Sequence, residues 1–178
     1  MSNILVKENI VLGLDSVSRE ESIVLAGKKL VERGYVNEGY VDAMLEREKT
    51  MSTNMGLGFA IPHGVNEAKK EIKESGIVIL QFPNGVEYGD STVYLVIGIA
   101  GKDNEHLDIL SKIAISLDDE LVEKLKDSTD VNDFLNINWN RLFYSQLHLR
   151  LSISIFSFYS SIIIGCIFTS TTCFISSK

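Results

Sequence analysis

Three histidines hold most of the chemistry open to this sequence: His63 in GLGFAIPHG (residues 56–64), His106 in NEHLDIL, and His148 near the C-terminal end. A lone histidine is more often a surface or satisfied core residue than a reactive one, so its surroundings must decide. Around His63, Pro62 fixes its own φ and keeps Ile61 extended, which sets the imidazole at the rim where a short apolar run ends. Gly56, Gly58 and Gly64 leave backbone uncovered nearby and permit close approach of a ligand or partner. An imidazole so placed is a candidate nucleophile. His106 adds a second imidazole in the first turn of a helix, whose unpaired N–H groups favour an anion. Arg47, in AMLEREKT near a helix C-terminus, offers a fork of donors suited to phosphate oxygens.

These side chains depend on the elements that position them. Ser18-Arg19-Glu20-Glu21 is a capping box, and Ile23, Val24, Leu30 and Val31 recur behind it with helical spacing until Gly34. Asn37 is expected to cap a second helix in which Tyr40, Val41, Met44 and Leu45 share a face. Strands are expected at residues 58–61, 76–82 and 93–100. The last two are nearly unbroken in Val, Ile and Leu, as strands buried on both faces are. Asp103 or Asn104 is expected to cap a helix with an apolar face of Leu107, Leu110, Ile113, Ala114 and Leu117. Two shorter helices follow, opened by Asp118 or Asp119 and by Ser128 or Thr129. Strands interleaved with helices imply an α/β fold with a sheet covered on both faces.

Composition narrows the functions available. The 178 residues are 45% apolar, enough for one α/β domain with a substantial core. A net charge of −7 disfavours nucleic acid, whose phosphates call for clustered Lys and Arg. No G-x-x-x-x-G-K-[ST] loop is present, so a nucleotide is a poor phosphoryl donor. His63 and His106 lack a third ligand and the spacing of a zinc site, and no metal or other cofactor is implied. Both cysteines, Cys166 and Cys173, lie in the C-terminal tail, so the preceding body has no thiol. With no basic, apolar secretory leader in MSNILVKENIVLGLD, the body reads as cytoplasmic.

GLGFAIPHG, FPNGVEYGD, LVIGIAGK and NEHLDIL, in that order, resemble the enzyme IIA component of the mannitol phosphotransferase system. The similarity runs from about Asn3 to about Leu135 and includes AMLEREKT. It implies a five-stranded mixed sheet flanked by helices. It also implies a histidine that takes a phosphoryl group on Nε2 from phospho-HPr and passes it to a cysteine of IIB. His63 matches that nucleophile, and His106 and Arg47 match the residues flanking it. FPNGVEYGD and the NEH segment look more like the mannitol than the fructose branch. A regulatory IIA-like domain, whose phosphorylation state controls a partner instead of feeding transport, is the other reading.

The body is taken as residues 1–138 and the tail as 139–178. From Asn138 onward there are three basic residues and no acid, leaving a charge of −10 on what precedes. Residues 151–175 carry no charge, a length that would span a bilayer, but nine are Ser or Thr. A non-native extension is the leading reading of this tail, ahead of a membrane anchor or an ordered addition. Membrane contact is otherwise expected only through the transporter's IIC portion. His148 belongs to the tail and receives no role.

Overall fold

The structure is a computed structural model that describes residues 4–103 and 105–137. Its centre is an antiparallel pair of long strands, β3 (Gly76–Glu87) and β4 (Thr92–Ala100), in register from Gly76 opposite Ala100 to Gln81 opposite Leu95. Two short strands extend the pair in parallel: β1 (Ile10–Val11) lies along β3 and β2 (Phe59–Ala60) along β4, giving the order β1-β3-β4-β2. The helices are α1 (Arg19–Glu32), α2 (Gly39–Thr50), α3 (Glu105–Ser116), α4 (Asp119–Lys126) and α5 (Val131–Leu135).

The apolar runs of β3 and β4 split by residue parity, because successive side chains of a strand point to opposite faces. Val78, Leu80, Phe82, Val96 and Ala100 meet Ile23, Ala26 and Leu30 of α1 and Tyr40, Ala43 and Met44 of α2. Ile77, Ile79, Leu95, Ile97 and Ile99 meet Ile109 and Ile113 of α3, Val122 and Leu125 of α4 and Phe134 of α5. The sheet is therefore covered by helices on both faces. It has four strands among the described residues where the family resemblance implied five. Beside β2, pairing continues only as single bridges, Asn54 with Ala60 and His63 with Ile99, which are too short to count as strands.

Several local expectations change. Strand β3 runs past Phe82 to Glu87, because Pro83 sits where the register shifts between Gln81 and Val86 and its missing N–H is tolerated. The two-residue β1 has no periodicity to announce it. Ser18 does cap α1, its hydroxyl accepting Glu21 N–H. Asn37 serves α2 with its backbone carbonyl, which accepts Tyr40 N–H, while Glu38 takes the cap position without a side-chain bond. Asp118 caps α4, but Asp130 caps α5 in place of Ser128 or Thr129. In α3 Ile109, Ile113 and Ser116 are buried; of the expected face Ile113 and Leu117 enter the core and Leu110 packs against it, but Leu107 turns outward with 71% of its surface exposed.

Asn104, Asn138, His148, both cysteines and the expected tail of residues 139–178 lie outside the described residues. Among the described residues no helix is long and apolar enough to cross a membrane.

Candidate functional site

His63 is carried by the continuation of β2 along β4. Ile61 N–H donates to Thr53 O, Ile99 N–H donates to Pro62 O at 3.0 Å, and His63 itself forms a parallel bridge with Ile99. Burial is the first departure from expectation: His63 is only 8% exposed, so it stands in the wall of the site and not on an open rim. Its Nδ1 lies 2.8 Å from Ile61 O. A carbonyl only accepts, so Nδ1 carries the hydrogen and Nε2 keeps a free lone pair. Burial lowers the pKa of His63, and Arg47 lowers it further, against opposing effects of the Ile61 carbonyl and Glu48. The ring is neutral at pH 7.

His106 faces it. The two ring centroids are 5.0 Å apart at an interplanar angle of 58°. The link that brings His106 there is the turn from β4 into α3, and Gly101 makes it passable. A Cβ at Gly101 would lie 2.5 Å from His106 Cα, a backbone atom that cannot swing aside. His106 is half-buried, and burial, reinforced by His63, Lys69 and Arg47, pushes its pKa down to about 4. Both imidazoles are thus uncharged at neutral pH.

Arg47 lies in the last turn of α2, where Nη1 donates to Met51 O at 2.7 Å. Its charge acts on both imidazoles. The structure brings His63 and His106 face to face, whereas Arg47 reaches them through its charge. Three further side chains around the site carry no signal in the sequence. Glu48, 7% exposed, accepts Ser52 Oγ, Thr53 N–H and Thr53 Oγ and so fixes the loop that leads to β2. Lys69 shares a small cavity with Tyr40, Gly64, Asn66, Gly101 and His106. By spacing Tyr40 is one more apolar helix position, but its hydroxyl needs a partner. Nothing in the local sequence points Lys69 toward His106 or Glu48 toward His63. A larger hollow of about 690 Å³ lies between Ser16–Glu20 and Asn84–Thr92 and contains no histidine.

A neutral imidazole with one nitrogen pinned, the other bare, and a second neutral imidazole opposite is the arrangement expected of a protein that accepts a group on histidine. The chain belongs to the EIIA 2 family of the phosphoenolpyruvate-dependent sugar phosphotransferase system, whose model matches residues 3–138. Membership makes it a phosphotransferase component of that system. It is 52% identical over 136 residues to the mannitol-specific phosphotransferase enzyme IIA component of Bacillus subtilis, covering 75% of this chain and 95% of that protein. The crystal structure of IIA mannitol from Escherichia coli is similar with a TM-score of 0.70 and 42% identity, over 75% of this chain and 97% of that one. A second similar structure, the complex of E. coli IIA mannitol with phosphorylated IIB, gives a TM-score of 0.72 and 40% identity, over 77% and 98%.

Proposed function

We propose that this chain is the IIA phosphoryl carrier of mannitol uptake, with His63 Nε2 as the atom that bears the phosphoryl group. The observation that carries the assignment is the 2.8 Å contact between His63 Nδ1 and Ile61 O, which leaves Nε2 as the free nitrogen of a ring that faces His106. Phospho-HPr is the donor. Nε2 attacks phosphorus in line, the donor's P–N bond breaks with its electron pair returning to the donor nitrogen, and a P–Nε2 bond forms. Nδ1 keeps its hydrogen, and the Ile61 carbonyl stabilises the positive character the ring acquires. His106 and Arg47 face the phosphoryl oxygens, Arg47 through its permanent charge. In the second step the IIB cysteine sulfur attacks and the P–Nε2 bond breaks.

Both acceptor and donor are proteins, so the site needs a surface they can reach. Leu107, 71% exposed beside His106, and Met51, 66% exposed beside Arg47, supply apolar contact next to the reacting groups. The carrier domain is residues 1–138, supported by a family match that ends at 138. Its setting is the cytoplasm, where enzyme I and HPr act.

The test is incubation with phosphoenolpyruvate, enzyme I and HPr, followed by intact-mass measurement. Wild type should gain one acid-labile phosphoryl group and His63→Ala none. Labelling that persists in the variant overturns the assignment of His63, and labelled protein that cannot phosphorylate a mannitol IIB overturns the transport role.

A further inference from the structure

Tyr40 is 1% exposed on an otherwise apolar face of α2, so its hydroxyl must find partners inside the protein. It finds two, both on the backbone around His63. The hydroxyl donates to Ile99 O at 2.9 Å and accepts Gly64 N–H at 3.0 Å. Burial raises its pKa, which keeps the donor protonated.

The position of these two groups gives them meaning. His63 and Ile99 form a parallel bridge, in which Ile99 should donate to the residue before His63 and accept from the residue after it. The first bond is direct, Ile99 N–H to Pro62 O. On the other side the phenol stands between Gly64 N–H and Ile99 O and relays the bond. One residue of β4 thereby holds both flanks of His63, and Tyr40 completes the second hold.

Shape enforces the same arrangement. A Cβ at Gly64 would lie 2.6 Å from Tyr40 Cε2 and 3.0 Å from Cζ, while the φ of Gly64 is outside the left-handed region. Glycine is needed there to admit the ring, and not for a special backbone conformation.

We infer that Tyr40 is a positioning residue for His63, locking the turn from Ile61 to Gly64 so that the imidazole keeps Nδ1–H on the Ile61 carbonyl. This rests on the reading of His63 as the carrier. Ring and carbonyl belong to the same short turn, held on one side by Pro62 and on the other through Gly64. Removing the hydroxyl leaves Gly64 N–H and Ile99 O without their relay, and the turn gains freedom to admit the other tautomer. In that tautomer Nε2 bears the hydrogen and has no lone pair for phosphorus.

The experiment uses the full chain with Tyr40→Phe, which keeps the ring in the core, and Gly64→Ala, which pushes on the ring from the other side. Two readouts are needed: the His63 tautomer from long-range ¹⁵N–¹H NMR without phosphorylation, and the rate of phosphoryl uptake from phospho-HPr. Wild type should show only the Nδ1–H tautomer. Both variants should unfold cooperatively, show a mixture of tautomers, and accept phosphoryl roughly tenfold to a hundredfold more slowly, the scale of a small misplacement of a reacting group. A wild-type tautomer in Tyr40→Phe overturns the inference whatever the rate, and so does a wild-type rate. Failure of wild type to be labelled would instead strike at the carrier reading, and the tautomer measurement would still decide the role of Tyr40.

Discussion

Keeping His106 uncharged beside His63 has a cost in acid that can be measured. Its pKa falls from the ordinary 6.5 to about 4 in the folded chain, chiefly through burial and then through His63, Lys69 and Arg47. The unfolded chain binds its proton as the pH drops through about 6.5, and the folded chain does so only near 4. Between those values the unfolded state holds more protons, so stability falls with falling pH. Full stability is present above about 6.5, and the loss is complete near 4. For these two values linkage gives about 2 kcal/mol lost between pH 7 and pH 5, which solvent screening of a half-exposed ring reduces to about 1 kcal/mol. The assay is urea unfolding of wild type and His106→Gln from pH 7.5 to 4.5 at constant ionic strength. The variant removes the titrating group while keeping a polar side chain, so its stability should fall less by about 1 kcal/mol over that interval. Parallel pH curves for the two proteins, or an NMR titration placing His106 at or above 6.5, would refute the reasoning.

Arg47→Ala should slow phosphoryl uptake by about tenfold to a hundredfold, and it should raise the pKa of both His63 and His106 because its charge lowers both. Unmoved histidine titrations by NMR would show that Arg47 does not act at the site. Glu48→Ala strips three donors of a mostly buried acceptor, and urea unfolding should show a loss of about 1–3 kcal/mol. A change under about 0.5 kcal/mol would mean that water replaces the carboxylate freely. Gly101→Ala should destabilise by about 1–3 kcal/mol and move the His106 ring resonances, because the new methyl meets backbone at 2.5 Å. Unchanged resonances would show that the turn into α3 relaxes without moving the imidazole.

What could be read in advance follows the range of the interactions involved. The helix cap at Ser18 and the nearly unbroken apolar runs of residues 76–82 and 93–100 are local patterns, and the structure realises them. His63, His106 and Arg47 stand out as candidates by residue type and by the motifs that carry them. Short edge strands are different, because β1 is a strand only by virtue of the β3 residues it meets, Ile79 and Leu80. The face of α3 is legible at Ile113 and Leu117 but not at Leu107, for a related reason. Leu107 fits an apolar stripe by spacing, but the sheet accepts the stripe centred on Ile109 and Ile113, and Leu107 is left pointing outward beside His106.

His63 itself shows how far residue type goes and where tertiary structure takes over. A histidine after proline suggests an exposed nucleophile at a strand end, yet the ring is 8% exposed and depends on partners up to 59 residues apart in sequence. Ile61 settles which nitrogen is bare, Ile99 and Tyr40 hold the turn, and Gly101 lets His106 approach. The glycines of GLGFAIPHG divide accordingly. Gly56 and Gly58 adopt positive φ as turn residues, whereas Gly64 gives its space to the ring of Tyr40. Room for a phosphoryl group or a partner is therefore not what Gly64 supplies. Its missing side chain admits that ring, and if His63 is the carrier, as proposed, reactivity at Nε2 depends on this packing as much as on the histidine.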